Sequence, residues 1–290
     1  MLNLKQTSTF HLKDLLSGIV VFLVALPLCL GIALASGAPI MAGIIAGIVG
    51  GIVVGALSGS HISVAGPAAG LSAVILMQLE QFGGNYAAFL LSVIFAGLLQ
   101  LLFGIFKLGF FANFVPNNVI LGLLAAIGVI LILSQLPYLF GIADFSWRQL
   151  PELSMAQIDP IAAGIGVLSV LLMLAWDASP LKKLLLPSAL IAVLLAAVLN
   201  VVLSSYFGLS IQPQNLIQLP NVLANPSGML MLPDWSYLAE PLIYSGAITL
   251  AVVASLETLL NLEAADKLDP YKRASPPNRE LWAQGVGNMA

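Results

Sequence analysis

Charge is what this sequence has least of. Asp, Glu, Lys and Arg make up 8% of its 290 residues, against roughly 25% in a soluble domain. Ten cationic and thirteen anionic side chains leave a net charge of −3, too small an imbalance to point to a nucleic-acid partner. The single cysteine, Cys29, excludes a disulfide framework and a cysteine-based zinc site. Two histidines, His11 and His61, are too few for a His-rich metal centre. Intramembrane hydrolysis needs a nucleophile with a base, a carboxylate pair or a metal. These residues assemble none of them, so neither an enzyme nor a cofactor is expected. No nucleotide-binding loop, heptad array or short-period repeat occurs.

Apolar side chains are abundant instead. They account for 60% of the chain, and the mean hydropathy is +1.03. That composition predicts an all-α polytopic membrane protein in contact with the lipid bilayer. Runs near the 20-residue length that crosses a bilayer fall at 15–35, 40–58, 86–106, 118–136, 158–176, 184–206 and 241–262. With a shorter apolar segment at 62–79, about eight transmembrane segments are expected. The first run is too long for a signal peptide and lacks a convincing cleavage site, so it reads as a retained helix.

With the N-terminus cytoplasmic, nine of the ten Lys and Arg fall on the inner side, leaving Arg148 outside. Chance would give that split about 2 times in 100, so the positive-inside rule supports this orientation. The expected organisation is a cytoplasmic N-terminus at 1–14, a transmembrane domain at 15–262, and a cytoplasmic segment at 263–290 leading into a truncated ninth helix. The expected location is the plasma membrane, the inner membrane of a bacterium. The Pro- and Asn-rich stretch 207–240 reads either as an ordered extracytoplasmic loop or as a linker.

Four features carry chemical or architectural consequences. In Ser60-His61-Ile62-Ser63-Val64-Ala65-Gly66-Pro67-Ala68-Ala69-Gly70-Leu71, the glycines and the proline predict unwound chain, with regular helix starting near Pro67. From there to Leu79 the helix is too short to span alone. A half-helix starting at membrane depth would aim free N–H groups and a positive dipole end into a cavity, which suits an anion. A kinked, continuous helix is the alternative. Glu257 is the only acidic residue well inside a span, and Asn261 lies one turn further on. Their oxygens suit Na⁺, or Glu257 alone could carry a proton; the alternative is a protonated acid bonded to nearby backbone. Pro27 predicts a kink in the first helix. Gly43, Gly47, Gly51, Gly55 and Gly59 form a ribbon that lets another backbone approach.

Together these stretches resemble the SulP family of anion permeases. Ala25-Leu26-Pro27 is similar to that family's first-helix proline motif. His61-Ile62-Ser63-Val64 with Gly66-Pro67-Ala68-Ala69-Gly70 resembles its third-segment motif. Glu257-Thr258-Leu259-Leu260, followed by Ala264-Ala265-Asp266, resembles its acidic eighth-segment motif. The departures are Leu28 where many members carry glutamine, and an extra residue, Ala65, in the third-segment motif.

The resemblance implies the first repeat, and the start of the second, of a seven-plus-seven inverted-repeat transporter, with core and gate helices interleaved. It implies a substrate site lined by Phe22, Pro27, Gly66, Pro67, Ala68, Ala69 and Gly70, with Glu257 and Asn261 serving a coupling ion such as Na⁺. The expected function is secondary active transport of a small inorganic anion, sulfate or bicarbonate, coupled to Na⁺ or H⁺ by alternating access. A nucleobase-type permease of the same architecture and a non-transporting membrane scaffold are the alternatives. A homodimer is also implied.

Overall fold

The computed structural model describes residues 12–110, 117–142, 158–180, 188–216 and 230–290. Arg148 and the inner-side residues Lys5, Lys182 and Lys183 lie outside them. Every regular element among the described residues is helical. Six helices are long and apolar enough to cross a membrane: Ser17–Ala35, Ile40–Leu57, Tyr86–Ile105, Pro160–Ala178, Ser188–Phe207 and Pro241–Leu268. A further helix, α6 (Asn117–Leu139), covers the run expected at 118–136. This is a multi-pass membrane protein. The chain divides into two compact units, one of residues 1–27 and 135–218, the other of residues 28–134 and 219–290.

In the larger unit, α1 (Leu12–Ala35) contributes its last turns from Leu28 onward. It remains helical through Pro27, so the proline does not interrupt it. After a turn, α2 (Ile40–Val49) runs into a π turn, Gly50–Val54, and then into the short α3, Gly55–Leu57. The close approaches along this helix correct the expected glycine ribbon. A Cβ at Gly43 would overlap the Cys29 carbonyl, and one at Gly47 would lie 2.7 Å from Cys29 Sγ, whereas Gly51 has nothing within 4 Å. Gly50, still in α geometry at the start of the π turn, makes the next close approach in place of Gly51, and to a different neighbour, Ala65.

The centre of this unit is α5 (Tyr86–Ile105), packed between α9 (Pro241–Leu268) and α10 (Pro277–Met289). Asn85 caps α5, accepting from Ala88 N at 3.1 Å. A buried cluster of Leu79, Phe89, Ala96, Ala247, Leu250 and Ala251 joins α4 (Ser72–Gln81), α5 and α9. Two polar side chains sit beside this cluster. Gln78 Nε2 donates to Gly246 O at 3.1 Å and Ser92 Oγ to Ile243 O at 3.1 Å. Bonding to backbone is how polar groups survive in such surroundings.

Helix α9 outruns its expected end at 262 by six residues. Its last turns are built from Ala264 and Ala265 and carry a Glu263–Lys267 pair at 2.9 Å, both favourable to helix. It stops at Asp269 before Pro270, as the residue preceding a proline resists helical geometry. The Arg273 side chain, bonded to Asp269 at 2.7 Å, and two backbone N–H groups hold that carboxyl far below the usual carboxylate range.

In the smaller unit, α7 (Pro160–Ala178) packs on α8 (Ser188–Phe207). Asp159 caps α7 through Ile161 N and Ala162 N, and its other oxygen accepts from Gln212 N at 2.9 Å and Asn215 Nδ2 at 3.1 Å. Burial would raise this carboxyl, but those four donors outweigh it and lower it. Asp159 thereby fastens the chain after α8 to the start of α7. Of the stretch 207–240, the described parts carry short 3-10 turns at Pro213–Asn215 and Trp235–Ala239; residues 217–229 lie outside them.

Candidate functional site

The chain leaves α3 at Ser58 and stays non-helical to Ala68. Serines organise this unwound stretch: Ser60 N donates to Ser58 Oγ at 3.1 Å and Ser63 N to Ser60 Oγ at 3.2 Å. Such local bonds offer the backbone an alternative to helix. The stretch lies directly on the π turn. A Cβ at Gly50 would fall 2.5 Å from Ala65 O and 2.8 Å from Gly66 N, so only glycine fits there.

Helical geometry resumes as a 3-10 turn at Ala69–Leu71, and α4 itself begins at Ser72. The expected start near Pro67 is therefore corrected. Ala68 is extended (φ −92°, ψ 119°). Gly66 and Gly70 favour unwound chain, and the contact with Gly50 holds Ala65 and Gly66 against the π turn. The α-helical part has 10 residues, about 15 Å, or half a bilayer core. Among the described residues, no side chain of the segment itself caps the 3-10 turn or α4.

The cap comes from α9. Gly70 N donates to Glu257 Oε1 at 3.2 Å, across 187 residues of sequence. Glu257 is 8% exposed, so its carboxylate lies within the protein at the positive end of the half-helix. The two features singled out in the sequence as chemically unusual thus meet at one point.

The other expected site residues are placed as follows. Gly66 is exposed, and Pro67, Ala68, Ala69 and Gly70 are half-buried. Asn261 is exposed, whereas Glu257 one turn earlier is buried and turned to Gly70. Phe22, 59% exposed, and Pro27, half-buried, lie on the part of α1 that belongs to the smaller unit. No group of three His, Cys, Asp or Glu side chains among the described residues could hold a metal ion.

Sequence reasoning missed the contacts around Glu280. Ser58 Oγ donates to its carboxylate, and Arg279 Nε donates to Leu57 O at 2.8 Å. An acidic residue in the first turn of a helix reads in sequence as a dipole complement. Nothing local marks a partner 222 residues away.

A family model described as "Sulfate permease family" matches residues 12–290. YvdB of Bacillus subtilis, by name a candidate sulfate transporter, is 28% identical over 96% of this chain and 52% of its own length. The bicarbonate transporter BicA of Picosynechococcus is 26% identical over 98% of this chain and 51% of its own. The chain thus spans about half the length of these relatives. The solved transmembrane domain of a cyanobacterial BicA superposes with a TM-score of 0.77 at 24% identity, covering 96% of this chain and 70% of that one.

Proposed function

Since the chain belongs to the sulfate permease family, we propose that it carries part of the pathway of a secondary transporter for a small inorganic anion, sulfate or bicarbonate. The observation that carries this reading is the bond from Gly70 N to the buried Glu257 carboxylate. A helix N-terminus at membrane depth attracts negative charge, and here a resident carboxylate already sits there.

That arrangement gives a physical reason for ion coupling. At about 4 Å and an effective dielectric of about 20, two like charges repel by about 4 kcal/mol. A substrate anion at the same helix end would therefore lose about a thousandfold in affinity while Glu257 stays charged. A Na⁺ ion beside the carboxylate, or a proton on it, removes the penalty. Cation and anion then bind together, and alternating access moves both. In this reading Gly66, Pro67, Ala68, Ala69 and Gly70 offer backbone to the anion. Glu257 carries the coupling charge, with Asn261 as a further oxygen ligand. The N-terminus is cytoplasmic, and the membrane is the inner membrane of a bacterium. The nucleobase alternative draws no support from the relatives, whose names refer to sulfate and bicarbonate.

Uptake of labelled bicarbonate and sulfate into proteoliposomes, with and without a Na⁺ or pH gradient, tests this reading. One of the two anions should accumulate only when a cation gradient is imposed. With the longest reading frame that contains this sequence in the proteoliposomes, accumulation of neither, or uptake inhibited by uracil but by neither anion, would overturn it.

A further inference from the structure

Helix α10 runs alongside the chain that leads from the π turn into the unwound stretch. Three contacts occur in antiparallel register. A Cβ at Gly287 would collide with Val54, the Glu280 carboxylate accepts from Ser58 Oγ, and a Cβ at Gly59 would fall 2.7 Å from Pro276 Cδ. Arg279 Nε adds a bond to Leu57 O at 2.8 Å. Ser58 is the residue at which helical geometry ends, with ψ at 154°. The bonds from Ser58 Oγ to Glu280 and from Arg279 Nε to Leu57 O both fall at that junction.

Glu280 is 4% exposed, and its second oxygen accepts from Gln284 Nε2 at 3.2 Å. Both carboxylate oxygens are thus committed, one within α10 and one to the junction. Ser58 Oγ in turn accepts from Ser60 N at 3.1 Å, so the hydroxyl links Glu280 to the first turn of the unwound stretch.

We propose that Glu280 is a positioning residue. Through Ser58 it fixes the direction in which the unwound stretch 58–68 departs from the helix, and so where Ala65 and Gly66 lie against Gly50. Helix α10 acts as the brace and Ser58 as its point of attachment. The consequence for transport rests on the function proposed above; the positioning itself does not.

Electron–electron distance measurement on the full 290-residue chain in bilayers tests this. Spin labels are attached at Val64→Cys and Leu98→Cys, both exposed positions, in a Cys29→Ala background. Ser58→Ala and Glu280→Ala should each broaden the 64–98 distance distribution by about twofold, as expected when a segment loses its fixed contact. The double variant should be no broader than either single one. Glu280→Gln should keep the parent width, because its Oε1 still accepts from Ser58. A control pair at Leu98→Cys and Ile248→Cys should not change. Unchanged 64–98 widths, additive broadening in the double variant, or equal broadening of the control pair would overturn the proposal; the last would mean that Glu280 merely holds the unit together. The readout needs no transport. This pattern in the chain, together with a longest reading frame that moves no anion, would sink the proposed function alone, and an active transporter with unchanged widths would sink only the positioning role.

Discussion

Glu257 and Asp159 are both buried carboxylates, yet their surroundings give them different work. Asp159 takes four donors, two at the start of α7 and two from the chain after α8. Those bonds depress its carboxyl, so its stabilisation is complete above the unfolded value of about 4. It is lost as pH falls through the lower folded value. Asp159→Ala should cost about 2 kcal/mol near neutrality by loss of a cap and its charged hydrogen bonds. Denaturation in detergent at neutral pH and below pH 4 checks the sign: the gap between parent and variant should shrink toward acid. Among the described residues Glu257 takes one bond, from Gly70 N, and in the proposed reading the rest of its carboxylate serves a cation or a proton. The sequence marked Glu257 through its rarity within a span. It did not distinguish Asp159, whose partners at 212 and 215 come together only on folding.

At the scale of elements, the half-helix was legible because Gly66, Pro67 and Gly70 each oppose regular helix in a way that is local to the chain. Its starting residue was not legible, since the contact between Gly50 and Ala65 joins two different segments. The π turn was hidden as well, because the spacing of Gly51 and Gly55 is equally compatible with regular α-helix. Gly50→Ala would push on Ala65 O and displace the unwound stretch. Anion uptake in proteoliposomes should fall tenfold or more, about the cost of a misplacement near 1 Å. Packing of α5 on α10 makes a second demand. A Cβ at Gly285 would lie 2.5 Å from Leu101 N and 2.6 Å from Gly97 O. Gly285→Ala should therefore destabilise by about 1–3 kcal/mol through overpacking. Gly164→Ala, with nothing within 4 Å, should be neutral or stabilising by about 0.5–1 kcal/mol. Thermal unfolding in detergent separates the two.

At the scale of the whole molecule, composition together with apolar runs near 20 residues was enough to identify a multi-pass helical protein, because runs of that length satisfy their backbone in a bilayer as helices. The long apolar runs fixed most helices to within a few residues. The polar ends did not follow the same logic, as the six extra residues of α9 show. What composition could not supply was the meeting of Gly70 with Glu257, a contact made by topology rather than by any local signal.

The proposed coupling turns on the charge of Glu257, and Glu257→Gln tests it most directly. Glutamine keeps an oxygen for Gly70 N and removes the charge. The measurement compares gradient-driven accumulation with equilibrium exchange of labelled bicarbonate and sulfate in proteoliposomes, using the longest reading frame that contains this sequence. The account predicts that the parent concentrates anion against its gradient, whereas Glu257→Gln exchanges anion but no longer concentrates it under any Na⁺ or pH gradient. Accumulation by Glu257→Gln at the parent level would contradict the account.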